Sequence, residues 1–104
     1  MSWYISIKPN SLAEYLPPHN VAKYLNQLAE LKQRDNCNWQ SSTTNFFTVG
    51  VYLENETGYI SDGKLPEKVN LIEIIGDYVG DPTAYFALAE KIAGHFNWRV
   101  IEQS

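Results

Sequence analysis

The stretch that decides the fold is Val69-Asn70-Leu71-Ile72-Glu73-Ile74-Ile75-Gly76-Asp77-Tyr78-Val79-Gly80-Asp81-Pro82. From Val69 to Ile75 branched apolar residues fall on both faces of an extended chain, the pattern of a strand covered on both sides, so a central sheet position is predicted. Gly76 to Gly80 reads as the loop leaving the sheet. Asp81 as N-cap and Pro82 in the first helical position then start a helix. Tyr85, Leu88, Ala89, Ile92 and Phe96 give that helix one apolar stripe, and Gly94 stands near its end. Glu73 is the oddity: a carboxylate inside the most apolar strand of the chain.

Working outward, Trp3 to Ile7 alternates as a first strand and stops at Lys8-Pro9-Asn10. Ser11-Leu12-Ala13-Glu14 has capping-box spacing and predicts a short helical turn before Pro17-Pro18. Asn20 is the expected cap of a helix whose stripe is Val21, Tyr24, Leu25, Leu28 and Leu31, with Lys23, Asn26, Gln27, Glu30 and Gln33 opposite. Residues 35–44 form a polar connection with one large aromatic, Trp39, which either plugs the edge of the core or stands exposed as a contact. Phe46 to Leu53 is a strand, Asn55-Glu56-Thr57-Gly58 a turn, and Tyr59-Ile60-Ser61 a short returning strand. Arg99-Val100-Ile101 is the last strand.

The order is β-α-β-(β)-β-α-β. The expected fold is therefore α+β: a two-layer sandwich of a mostly antiparallel sheet of four to five strands with two helices on one face, ferredoxin-like in order. At 104 residues the chain has room for one core, so residues 1–104 form a single domain.

Chemistry is conspicuous by what the motifs lack. Glu73, Asp77 and Asp81 are four residues apart, but Gly76, Gly80 and Pro82 exclude the helix that would align them, and the spacing is not that of a calcium loop. His19 and His95 stand in no zinc spacing, and His95 suits the negative end of its helix as a cap. The two glycines before the second helix are flanked by Asp77 and Asp81, which would repel a phosphate. The twelve acids always offer some carboxylate pair, so glycoside hydrolysis is neither supported nor refused. No catalytic residue, metal or cofactor is expected, and the chain reads as a non-enzyme.

Charge is the positive signal. Residues 1–53 carry Lys8, Lys23, Lys32 and Arg34 against Glu14, Glu30 and Asp35, a net +1, and residues 82–104 balance. Residues 54–81 carry Glu54, Glu56, Asp62, Glu67, Glu73, Asp77 and Asp81 against Lys64 and Lys68, a net −5, so this segment exceeds the −4 of the whole chain. Direct nucleic-acid binding is excluded by that sign. Carboxylates interleaved with Tyr52, Tyr59 and Tyr78 suit a surface that captures a basic protein, with charge steering the encounter and aromatics anchoring it. Met1 to Ile7 lacks the basic start and long apolar core of a signal peptide, and no stretch reaches the about 18 apolar residues of a membrane span. With a single cysteine, Cys37, a soluble protein of the reducing cytoplasm is expected.

In layout the chain resembles the small acidic α+β immunity proteins of bacterial polymorphic-toxin and contact-dependent growth inhibition systems. The resemblance rests on SWYISIKP (2–9), NETGYISDGKLPEKVNLIEIIGDYVGDP (55–82) and AYFALAEKIAGHFNWRVIE (84–102). It implies a cytoplasmic protein that binds and neutralises a cognate toxin domain, a basic nuclease above all, by mimicking nucleic-acid charge. The expected contacts are Trp39, Glu54, Glu56, Tyr59, Asp62, Glu67, Glu73, Asp77, Tyr78 and Asp81. Two other readings compete. One is a small ferredoxin-like enzyme or ligand-binding domain, which calls for a tyrosine-lined pocket and a carboxylate with a strongly raised pKa. The other is a homodimer through the sheet edges at 59–61 or 99–101.

Overall fold

A computed structural model describes residues 2–11, 13–42, 47–59, 63–77 and 83–103. In chain order these form β1 (Ser2–Lys8), α1 (Pro18–Gln27), β2 (Leu31–Gln33), β3 (Asn38–Ser41), β4 (Phe47–Tyr52), β5 (Glu54–Asn55), β6 (Gly58–Tyr59), β7 (Leu71–Asp77), α2 (Thr83–Phe96) and β8 (Arg99–Gln103). Six strands make one sheet in the order β2-β3-β4-β7-β1-β8, with every neighbouring pair antiparallel. β5 and β6 pair as a separate two-stranded ribbon.

The apolar run of β7 does sit at the centre, between β4 and β1. Its register builds the core as two rows of side chains across the sheet. Trp39, Val49, Ile74 and Ile5 are cross-strand neighbours in sequence, and all four are fully buried. Val51, Ile72, Ile7 and Val100 form the next row. Both helices cover this face: Val21 and Leu25 of α1 and Tyr85, Leu88, Ala89 and Ile92 of α2 join the same cluster. Burying each large aliphatic side chain contributes about 1.5–3 kcal/mol, so these two rows are the main support of the fold. Gly76 on β7 lies under Tyr85, where a Cβ would approach the ring to 3.2 Å.

Both helices are present, with altered ends. α1 starts at Pro18, preceded by extended Pro17, so a proline in the first turn and not an Asn20 cap sets its beginning. The helix stops at Gln27, because Leu28 is extended (ψ 123°) and Leu31 pairs with Ser41 in the β2–β3 hairpin. Leu31 is thus buried from a strand, not from the helix stripe. At the far end of α2, Asn97 takes the left-handed conformation (φ 58°), and the Trp98 amide donates to the Ala93 carbonyl at 2.8 Å. That closes the helix in a Schellman turn on Asn97, with Gly94 still inside the helix. The expected turn at Ser11 is a single turn, with the Glu14 amide donating to the Ser11 carbonyl and the Ala13 amide to its hydroxyl.

The α+β sandwich with two helices on one face of an antiparallel sheet stands as expected, but the count of four to five strands does not. The sheet has six strands, because the polar connection 35–44 contains β3 and pairs with β2. Among the described residues the return after β4 is the β5–β6 ribbon, so Tyr59 lies on no edge of the main sheet, and Ile60 and Ser61 lie outside the described residues; β8 forms one edge of the main sheet and β2 the other.

Candidate functional site

The face of the sheet turned away from the helices carries the unusual chemistry. Across its middle, the register places Asn38, Gly50, Glu73, Ser6 and Ile101 in one row. Glu73 occupies the centre because it alternates with Ile72 and Ile74, which take the core side. The residue is only 6% exposed. Among the described residues, no cationic nitrogen lies within salt-bridge distance of it.

What covers Glu73 is aromatic. The Tyr59 hydroxyl donates to Glu73 Oε2 at 3.1 Å. Tyr52 folds back along its own strand over Gly50, so that a Cβ on Gly50 would lie 2.3 Å from the Tyr52 hydroxyl. The Tyr52 and Tyr59 rings then pack at 4.5 Å between centroids. Tyr4, two residues from Ser6 on the same face, adds a third phenol near enough to influence Tyr59 and is 41% exposed. Ser6, directly opposite Glu73, is fully buried, and its hydroxyl has no hydrogen-bond partner among the described residues.

The β5–β6 ribbon brings Tyr59 to this place, and polar clamps hold the ribbon. The Glu54 amide donates to Asn70 Oδ1 at 2.6 Å, and Asn70 Nδ2 donates to the Glu54 carbonyl at 2.9 Å. Lys8 Nζ reaches both oxygens of Glu54, at 2.9 and 3.2 Å. Asn55 closes the ribbon turn by accepting from the Thr57 amide and hydroxyl.

Burial pushes the Glu73 carboxyl above its ordinary value, and the Glu54 charge adds to this, against the Tyr59 hydrogen bond and the Lys8 charge. Burial, the Glu73 charge and donation to Glu73 push the Tyr59 hydroxyl up to about 12. A raised folded pKa has a definite sign for stability. Below about 4.5 the carboxyl is protonated folded and unfolded, and no penalty exists. As pH rises, the unfolded chain ionises first, so stability falls until the folded carboxyl has ionised too. Glu73→Gln keeps an acceptor for Tyr59 but removes the charge. Urea unfolding should show this variant matching the parent near pH 4 and exceeding it at pH 7. A parent whose advantage grows from pH 4 to pH 7 would contradict the buried-charge account.

The expected contact residues separate into groups. Trp39 is corrected: it is fully buried on β3, with its indole N–H donating to Asn26 Oδ1 at 2.9 Å, so it packs the core and offers no contact surface. Glu54 spends its charge on Lys8, and Glu73 lies under the tyrosines, so neither belongs to an open acidic patch. Glu56 and Glu67 are exposed, and Tyr59 is 39% exposed. Asp77 ends β7 opposite Ser2. Asp62, Tyr78 and Asp81 lie outside the described residues. The structure therefore joins Tyr59 to Glu73, with Glu54 at the ribbon's base. Ser6, Gly50, Tyr4 and Asn70 were missed, and their only sequence signal was the glutamate inside an apolar strand.

A second feature lies in the helical layer. Leu16, Asn20, Lys23, Tyr24, Gln27, His95 and Phe96 line a cleft of about 370 Å³. His95 stacks on Tyr24 at 3.7 Å, and the Tyr24 hydroxyl donates to the Lys91 carbonyl. No carboxylate lines it, and it lies on the opposite side of the sheet from Glu73. Among the described residues, no group of three His, Cys, Asp or Glu is placed to hold a metal, and no helix is long and apolar enough to cross a membrane. Comparison with known protein families, characterised proteins and solved structures finds no match to this chain.

Proposed function

We propose that this chain is a protein-binding module of the immunity type, which neutralises a basic toxin domain through the helix-free face of its sheet. One observation carries the reading: exposed Tyr59 sits on a buried carboxylate that makes no salt bridge among the described residues, with exposed Tyr4 on the same face of the sheet. Aromatics at a partly exposed rim over a desolvated charge are the usual anatomy of a binding hot spot. The exposed Glu56 and Glu67 add steering charge for a basic partner.

The rival enzyme or ligand-binding reading draws on the raised carboxyl of Glu73, but it also needs a ligand-sized cavity at that carboxylate. Among the described residues, a cleft lies behind the sheet, away from that carboxylate. In finer detail, we read β4-β7-β1-β8 as a ferredoxin-like core with the β2–β3 hairpin added beside β4. β1 and β4 run parallel with β7 between them, and β7 and β8 run parallel with β1 between them.

The reading expects a neighbouring reading frame that encodes a toxin domain. Co-expression of this chain should restore growth to cells making that domain, and the two should purify as a complex. Absence of both protection and complex would overturn the immunity role. Reversing Glu56 and Glu67 together to lysine should weaken the complex and flatten its salt dependence. Unchanged affinity and salt slope would remove charge mimicry while leaving the immunity role in place.

A further inference from the structure

We propose that the Glu73 notch is the seat of one arginine side chain of the partner, whose guanidinium takes the place of the Tyr59 hydroxyl on the carboxylate. This rests on the reading of the helix-free face as a partner surface. It goes further, because it replaces a diffuse acidic patch with a single buried anchor.

The inference begins with an imbalance. A carboxylate that is nearly fully buried is costly unless it meets a positive group and further hydrogen-bond donors. Among the described residues Glu73 receives one neutral donor, the Tyr59 hydroxyl, while the nearby Lys8 ammonium makes its bonds to Glu54. The Ser6 hydroxyl beside it is buried and, among the described residues, unpartnered, a second polar group with an incomplete set of bonds. Two groups on adjacent strands, both short of partners and both on the same face, describe a site prepared for an incoming donor.

Shape and chemistry select arginine. Gly50 removes the side chain that would otherwise fill the row beside Glu73, and Tyr52 closes over that gap. Tyr52 and Tyr59 therefore offer aromatic surface beside a planar acceptor, with Tyr4 on the same face. A guanidinium stacks on phenol rings, bonds a carboxylate with two parallel N–H groups, and has donors left for a hydroxyl. A lysine ammonium would use the charge but not the planes.

Access runs through Tyr59. It stands on a ribbon of two-residue strands and is 39% exposed, and among the described residues one side-chain hydrogen bond and the Tyr52 packing keep it over the carboxylate.

The test uses the full chain and two probes, N-acetyl-arginine-methylamide and its neutral isostere N-acetyl-citrulline-methylamide. NMR follows the Glu73 carboxyl carbon and the Tyr59 ring. The arginine probe should shift both in a saturable way, at least fivefold more tightly than citrulline, and Glu73→Gln should abolish the difference. Tyr59→Phe, which keeps the ring and removes the competing hydroxyl, should bind arginine more tightly. Equal response to both probes, or unchanged arginine binding in Glu73→Gln, would overturn the anchor. If arginine fails to bind while toxin protection persists, the anchor is lost and the immunity reading stands. If arginine binds in a chain that protects against no toxin, the anchor stands and the immunity reading is lost.

Discussion

Replacing Trp39 with alanine is expected to destabilise the protein by about 3–5 kcal/mol, the largest single-residue effect in the chain. Trp39 has no exposed surface, begins the central core row Trp39-Val49-Ile74-Ile5, and gives its indole N–H to Asn26. Alanine would leave a cavity at one end of that row, and the close-packed neighbours could collapse into it only in part. Because small domains hold only about 5–15 kcal/mol in total, much of the stability would be gone. Equilibrium urea unfolding measures it directly. Were Trp39 an exposed contact, the same substitution would leave stability within about 0.5 kcal/mol of the parent, as surface changes do.

Gly50→Val is the second large effect, and it acts on the site. The added Cβ would meet the Tyr52 hydroxyl at 2.3 Å and its ring carbons at 2.6 and 2.7 Å, inside contact distance. The strand cannot yield, since Gly50 is paired with Asn38 on one side and Glu73 on the other. Tyr52 must therefore swing away, taking with it the packing on Tyr59 that helps roof Glu73. A cost of about 1–3 kcal/mol is expected from the overpacking. The distinguishing readout is local: the Tyr59 ring resonances should move and the Glu73 carboxyl should fall toward its ordinary value as water enters. A stability loss with both signals unchanged would contradict this arrangement of Tyr52.

The sequence made some of these elements readable and hid others for physical reasons. β7 was legible because Leu71 to Ile75 is apolar on both faces, and α2 because its stripe repeats over several turns. The β2–β3 hairpin was not legible. Leu31 continues the helical spacing of Leu25 and Leu28, and a three-residue strand is too short to show alternation of its own. β3 is disguised by Asn38 and Gln40, whose polarity suits the helix-free face while Trp39 points to the core. Glu73 declared itself as an anomaly, but its surroundings depend on register. Ser6 reaches it across a strand pair and Tyr59 from a ribbon, and no local pattern encodes either meeting. The acidic segment misled for a related reason: pairing with Lys8 takes Glu54 out of the surface charge, and burial takes Glu73.

The central claim is that Glu73 serves binding at a cost to the free protein. Calorimetric titration of the parent and of Glu73→Gln with the toxin domain encoded beside this chain tests it most directly. The account expects Glu73→Gln to be at least as stable as the parent at pH 7 and to bind about tenfold or more weakly, as removal of one partner of a buried charge pair does. Equal affinity in the two chains would contradict it.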